Sequence, residues 1–369
     1  MRFISSSQTW SRGISAVHSA VGSPISTPVV ENIHISCEQE QVQFMATNLN
    51  LTIRCEGEAR VEEPGQIMLP AKYIEGIVRD LPKDDVSFEV EGESVRLVCG
   101  KYKVRMKAQS GDIFPEFNSV ETDDVIVIDV QLLKDFIRKT IFSTSSEKSR
   151  YELDGIKFDI REKKLTCVAT DGRRLAYCNW ENENITDREI SALVPTKTMQ
   201  ELPNVLPDSG DVQIHIQDRR IQFSSGDVKV ISNLLNDNFP DYSRIIPPPG
   251  DLHARMNRAD FSSAIKRAAT LSSTETGMII VHFKPEAVEL FGENEEIGGE
   301  ATDSIPIEYD GEEIQIRYNH KYVTDFLRVL DEDTVEIELK DERKPTIFRG
   351  VENQHFMYVL MPMRPPDQE

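Results

Sequence analysis

The sequence is poor in the residues that usually carry chemistry. Its 369 residues include five cysteines, two tryptophans and seven histidines. Cys37, Cys55, Cys99, Cys167 and Cys178 form no C-x-x-C and stand far apart. An odd number at wide spacing argues against a disulfide framework or a zinc site, and for a reducing cytoplasm. No apolar run reaches the roughly 18 residues of a membrane-spanning helix. The start, Met1-Arg2-Phe3-Ile4-Ser5, lacks the apolar core of a signal peptide. No G-x-x-x-x-G-K-[ST] loop is there to cradle phosphates, and no G-x-G-x-x-G follows a strand. The histidines fall in no H-E-x-x-H, and no G-x-S-x-G elbow is found. No cofactor and no metal are expected, and the chain reads as a non-enzyme. Carboxylate pairs such as Glu295-Glu296 and Asp84-Asp85 read as solvated faces in a chain with 63 acids. Basic charge is also scarce, with 42 Lys and Arg and a net charge of -21. That sign argues against a nucleic-acid partner unless the bases gather on one surface.

What the sequence does have is a repeat. Pro70-Ala71-Lys72 opens a helical pattern that closes at Leu81-Pro82. Pro195-Thr196-Lys197 opens another, 125 residues later, that closes at Leu206-Pro207. Phe114-Pro115-Glu116-Phe117 recurs at the same displacement as Phe239-Pro240-Asp241-Tyr242. Ala46-Thr47-Asn48 to Cys55 aligns with Ala169-Thr170-Asp171 to Cys178, a shift of 123. A weaker third copy sets Lys321 to Leu330 against Lys197 to Leu206. Three domains of about 123 residues follow: 1–123, 124–248 and 249–369. The second boundary falls in Pro247-Pro248-Pro249-Gly250, where prolines break regular pairing.

Each repeat holds two helical patterns, at 7–21 and 70–80, 129–142 and 195–205, 258–271 and 319–330. Period-two runs such as Val86-Ser87-Phe88-Glu89-Val90 and Val335-Glu336-Ile337-Glu338-Leu339 predict strands with one buried face. The expected class is α+β, with two helices per domain on antiparallel sheets. The six helical stretches carry twelve bases and seven acids, a surplus of five, which leaves -26 for the rest. One reading is a shared helical surface that meets a polyanion. The other is that Lys and Arg are simply good helix formers on solvated faces.

Thr170-Asp171-Gly172-Arg173-Arg174-Leu175-Ala176, Phe239-Pro240-Asp241-Tyr242 with Arg244, and Tyr358-Val359-Leu360-Met361-Pro362-Met363-Arg364 together resemble the bacterial β sliding clamp family, the processivity subunit of DNA polymerase III. The resemblance covers the whole chain. It implies a head-to-tail dimeric ring of six similar domains around duplex DNA, with helices lining the hole and sheet outside. It also implies a pocket for short hydrophobic motifs of the polymerase III alpha subunit, the clamp loader, other polymerases and repair proteins. Carried over, the pocket is Leu153, Thr170, Gly172, Arg174, Leu175, Pro240, Arg244, Ile245, Tyr322, Thr346, Val359, Met361, Pro362, Met363 and Arg364. Met and Leu suit an adaptable surface for exchanging partners, and arginines suit a peptide's backbone or carboxylate. By the same resemblance Arg150, Tyr151 and Lys197 contact DNA, and Val104, Met106 and Leu271 lie at the subunit joint.

Three features depart from the family. No base stands in the loop Ser23-Pro24-Ile25-Ser26, Arg173 replaces a commoner His, and Pro365-Pro366-Asp367-Gln368-Glu369 extends past Arg364. A scaffold that uses the same pocket without encircling DNA is the alternative from another class. A monomeric mass would favour it.

Overall fold

Two contact units divide the chain. The first holds residues 1–134, 184–186 and 197–235, and the second 135–183, 187–196 and 236–369. The structure is a computed structural model that describes residues 1–23, 28–120, 122–147, 149–186, 188–236, 238–273 and 275–364. The baseless loop at 24–26 and the tail 365–369 lie outside the described residues.

The six helical patterns become α1 (Ser7–His18), α2 (Ala71–Arg79), α3 (Val130–Thr140), α4 (Thr196–Val205), α5 (Arg258–Ala269) and α6 (His320–Val329). Side-chain caps start four of them. Ser6 accepts from the Thr9 N–H, Asp129 from those of Gln131 and Leu132, Asn257 from those of Ala259 and Asp260, and Asn319 from that of Lys321. Each cap satisfies helix N–H groups that have no partner within the helix. The helix α2 follows Pro70 and has no side-chain cap.

In the first unit, Arg60–Glu63, Arg2–Ser6, Asp85–Glu91, Ser94–Cys99 and Tyr102–Lys107 form a five-stranded antiparallel sheet, in that order. A nine-stranded sheet runs Gln109–Ser110, Gly65–Pro70, Asn32–Glu38, Gln41–Thr47, Leu51–Glu58, Val228–Asn233, Arg220–Ser225, Asp211–Gln217, Val125–Asp129. The core under α1 is aromatic. Trp10 stacks on Phe3 and meets Phe44 edge-on, and Gly13 lets the helix close on Phe44, where a Cβ would come within 2.2 Å of the ring.

In the second unit an eight-stranded sheet runs Ile190–Pro195, Gly155–Arg161, Lys164–Thr170, Arg174–Glu181, Phe356–Leu360, Thr346–Gly350, Thr334–Leu339, Leu252–Asn257. Its order reproduces the nine-stranded sheet from Gly65–Pro70 onward, strand for strand. The remaining four strands form Gly299–Pro306, Ala287–Asn294, Met278–Lys284, Ile314–Asn319.

Both large sheets are built across repeat junctions. Val228–Asn233 pairs with Leu51–Glu58, and Phe356–Leu360 pairs with Arg174–Glu181. The strand of the first repeat that corresponds to Val228–Asn233 is Tyr102–Lys107, which ends the five-stranded sheet. The strand of the third that corresponds to Arg174–Glu181 is Gly299–Pro306, which ends the four-stranded sheet. Each is an open edge among the described residues.

Candidate functional site

The corner at Thr170–Arg174 is held by its own side chains. Thr170 Oγ1 donates to the Arg174 carbonyl at 2.6 Å and accepts the Gly172 N–H at 3.1 Å. Asp171 Oδ1 accepts the N–H groups of Arg173 and Arg174 at 2.9 and 3.0 Å. Asp171 therefore shapes the turn, and Gly172 supplies its positive φ of 85°.

Arg174 is not a free rim cation. Its side chain is 9% exposed, with Nε 2.9 Å from Asp171 Oδ2 and Nη1 2.8 Å from Asp325 Oδ2. Nη2 donates to the Phe142 carbonyl. The guanidinium lies over the Tyr322 ring at 4.3 Å and near that of Phe142 at 5.4 Å. Burial opposes its charge, but Tyr358 and the two aspartates outweigh that and raise its pKa. Phe142 and Asp325, which sequence reading missed, fix this side chain.

Leu175 pairs across the ladder with Val359, and Val359 with Ile347. With Val168 these four make a buried apolar cluster. Phe239, Tyr242, Ile245 and Ile246 pack on it from the segment after the second Phe-Pro, joined by Tyr177 and Met357. The Tyr242 hydroxyl anchors that segment by donating to buried Asp159 Oδ2 at 2.6 Å, and burial with this bond pushes its pKa up. Val168 shares its strand face with Lys164, Thr166 and Thr170, and Ile347 with Arg349, so alternation marked neither. Nothing marked Tyr242 or Asp159 as partners.

Thr346 is buried and bonds Tyr318 at 2.6 Å. Tyr322 takes the Tyr358 hydroxyl on its carbonyl at 3.1 Å. The Met361 N–H donates to the Arg173 carbonyl and that of Met363 to Arg317. Met361, 42% exposed, and Arg364 stand at the surface, with Pro362 and Met363 half-buried beside them. Arg244 is exposed and pairs with Asp241 at 2.9 Å, Pro240 is half-buried, and Leu153 is buried with its carbonyl bonded to the Ser145 N–H. The six stretches that carry these residues thus belong to one unit, and the ladder, ring and backbone contacts join most of them.

The first unit contains the same corner with a more polar surround. Thr47 and Asn48 repeat the bonds of Thr170 and Asp171. There, however, Thr52 stands for Leu175 and Gln222 for Ile347. Gln222 Oε1 takes the Val120 N–H at 3.0 Å, and Val120 and Phe114 are buried. The segment after the first Phe-Pro is bonded down through its backbone at Val120, where its counterpart is held by the Tyr242 hydroxyl and by apolar contacts.

Arg150 is exposed over the Tyr151 ring at 4.7 Å, and Lys197 is exposed in the first turn of α4. Val104 and Met106 sit half-buried on the open edge Tyr102–Lys107, and Leu271 lies just after α5, near Gly299 on the edge Gly299–Pro306. The helix charges are less free than a count implies. Arg12, Lys134, Arg138, Lys139, Arg258, Arg267 and Arg328 are in ion pairs. Lys72, Arg79, Lys197, Lys266 and Lys321 are exposed and in no ion pair among the described residues.

His253, Glu336 and Glu338 are close enough to share a cation. Yet Arg255 and Arg349 already occupy Glu336 at 2.8 and 2.9 Å, and Arg349 also pairs with Glu338. A cation there would meet two positive charges. The five cysteines are free and buried, and burial pushes the Cys55 thiol up to about 12 and also raises those of Cys167 and Cys178. Such thiols are poor nucleophiles and ligands. No helix is long and apolar enough to cross a membrane among the described residues.

Residues 1–118, 127–241 and 243–364 match the N-terminal, central and C-terminal domain families of the DNA polymerase III beta subunit. Over 361 residues the chain is 30% identical to the beta sliding clamp of Caulobacter vibrioides, covering 96% of this chain and 97% of that one. It is 27% identical to the Bacillus subtilis beta sliding clamp over 376 residues, covering 99% and 100%. The crystal structure of the DNA polymerase III subunit beta from Pseudomonas aeruginosa matches with a TM-score of 0.94 at 26% identity, covering 99% of this chain and 100% of that one. The chain belongs to the DNA polymerase III beta subunit family, the beta sliding clamps.

Proposed function

We infer that this protein is a non-enzymatic sliding clamp, which encircles duplex DNA and tethers the replicative polymerase for processive synthesis in the cytoplasm. The observation that carries the ring is the pair of open edges. Twice within the chain, an edge of the kind seen in Tyr102–Lys107 is sealed by an edge of the kind seen in Gly299–Pro306. A second copy offers each open edge its complement. Two such joints close a head-to-tail dimer and pair both of these open edges. Val104 and Met106 on one edge, with Leu271 beside the other, are the proposed joint residues. The domain limits 1–123, 124–248 and 249–369 follow the repeat that makes this closure regular.

DNA is held loosely. The five unpaired helix cations, with Arg150 and Tyr151, offer diffuse phosphate contacts that carry no sequence information. Acidic surface elsewhere repels DNA, and the tether is topological. The Leu175–Val359 floor, with Met361, Met363, Arg364, Arg244 and Tyr322 around it, takes the partner motif. Exchange among several partners sets the affinity scale at micromolar, about -8 kcal/mol. Met363→Ala with Arg364→Ala is expected to abolish polymerase stimulation while the dimer persists. Stimulation near the wild-type level would overturn the pocket.

Sedimentation equilibrium tests the joint. At micromolar concentration the mass is expected at twice the chain's 42.0 kDa. Val104→Lys with Met106→Lys places charge in the joint and is expected to return the monomer. A wild-type monomer would contradict the ring and favour the scaffold reading.

A further inference from the structure

The sheet face that carries the pocket floor continues past Ile347. Ile347 faces Glu338 on the neighbouring strand, and Glu338 faces His253 on the next. Over this row lies a cleft of about 180 Å³, walled by Pro247, Pro248, Pro345 and Ile347. Ile347 belongs both to this cleft and to the Leu175–Val359 cluster, so the two are contiguous. Thr346, in the inferred pocket, directly follows Pro345. A cavity of roughly 150 Å³ admits a benzene-sized group, so this cleft has room for one large apolar side chain. Prolines make a stiff wall, which has little conformational entropy to lose when a ligand docks.

Of the three charged residues that line the cleft, Glu338, Lys340 and Lys344, only the lysines lack an ion pair among the described residues. Glu338, buried at its base, is neutralised by Arg349 and accepts the Gly250 N–H at 3.4 Å. In the loop at the rim, Asp341 Oδ1 is taken by the N–H groups of Arg343 and Lys344, and Glu342 pairs with Arg343. Lys340 and Lys344 line the cleft, are exposed, and enter no ion pair among the described residues. On a chain of net charge -21, two unpaired lysines at an apolar cleft select for an acidic segment.

We propose that this cleft is an additional subsite of the partner pocket, taking one apolar side chain from the flank of the bound motif and meeting an adjacent carboxylate with Lys340 and Lys344. The proposal rests on the pocket reading above. It distinguishes partners that share an apolar core but differ in the acidity of their flanks.

Fluorescence anisotropy with three labelled peptides tests it. One is an apolar hexapeptide, Ser-Leu-Leu-Ser-Leu-Phe, and the others carry Leu-Asp-Asp at its amino or its carboxyl end. One extended peptide is expected to bind wild-type protein about tenfold tighter than the hexapeptide, the scale of one extra apolar anchor and a charge pair. On the Lys340→Glu/Lys344→Glu variant that gain is expected to fall below about twofold, with hexapeptide binding unchanged. Replacing the Leu of the extension with Ser is expected to remove most of the gain. A gain that survives charge reversal, or no gain from either extension, overturns the subsite and leaves the pocket standing. No saturable binding of the hexapeptide itself overturns the pocket reading, and the subsite falls with it.

Discussion

Leu49 and Gly172 hold the same backbone position in two copies of one corner, at φ +75° and +85°. Only one of them is suited to it. A left-handed conformation costs an L residue about 1–2 kcal/mol, and Leu49 accepts that while leaving its side chain half in water. Leu49→Gly is therefore expected to stabilise the protein by about 0.5–1 kcal/mol, once glycine's extra chain entropy is subtracted. Gly172→Ala is expected to cost about 1 kcal/mol. A Cβ at Gly172 meets nothing within 4 Å, so that cost is backbone alone. Denaturant midpoints at unchanged slope check both.

Arg174 joins the corner to α6. Its removal leaves Asp171 without a cation and Asp325 with Arg328 alone. Arg174→Ala is expected to destabilise by about 3 kcal/mol, the range for breaking a buried ion pair. Arg174→Lys is expected to recover little, because one ammonium cannot bond two carboxylates and a carbonyl while lying over an aromatic ring. Urea unfolding of the three proteins measures this. Near-wild-type stability of the alanine variant would mean the corner holds without its arginine.

Glu336 is 4% exposed between Arg255 and Arg349, with His253 and Glu338 also facing it. Burial alone would raise its pKa, but the two arginines outweigh it and the carboxyl sits below its usual 4.5. A depressed folded-state pKa gives stability that is present above 4.5 and is lost as pH falls through the folded value. The stability gap between wild type and Glu336→Gln is expected to be widest near neutrality and to close below pH 4.5. A gap independent of pH between 6 and 3 would contradict the ion pairing.

The repeat, the six helices and the α+β class were legible because they rest on local signals: helical and period-two apolar spacing, and landmarks such as the two Phe-Pro segments. The open edges were not. Strands Tyr102–Lys107 and Gly299–Pro306 carry no residue that says whether a neighbour exists, and only their sealed counterparts reveal the vacancy. The pocket residues were named by resemblance, but their roles were only partly readable. Leu175 and Val359 are buried in one apolar cluster. Arg174 was named for the pocket wall, and its bonds to Asp171 and to Asp325, 151 positions away, were not readable. The helix charges misled in the same way. Counting twelve bases cannot show that seven are paired, several with acids far off in sequence such as Asp227 and Asp303.

Retention on DNA tests the central claim most directly. The protein is loaded onto a nicked circular duplex by a cognate loader and freed of unbound chain. Half of the sample is then cut once with a restriction enzyme, and bound protein is followed by gel filtration. The ring reading predicts that protein stays on the circle and leaves the linear form by sliding off its ends. Equal loss from both forms would show that contact, and not enclosure, holds the protein to DNA, and would contradict the clamp.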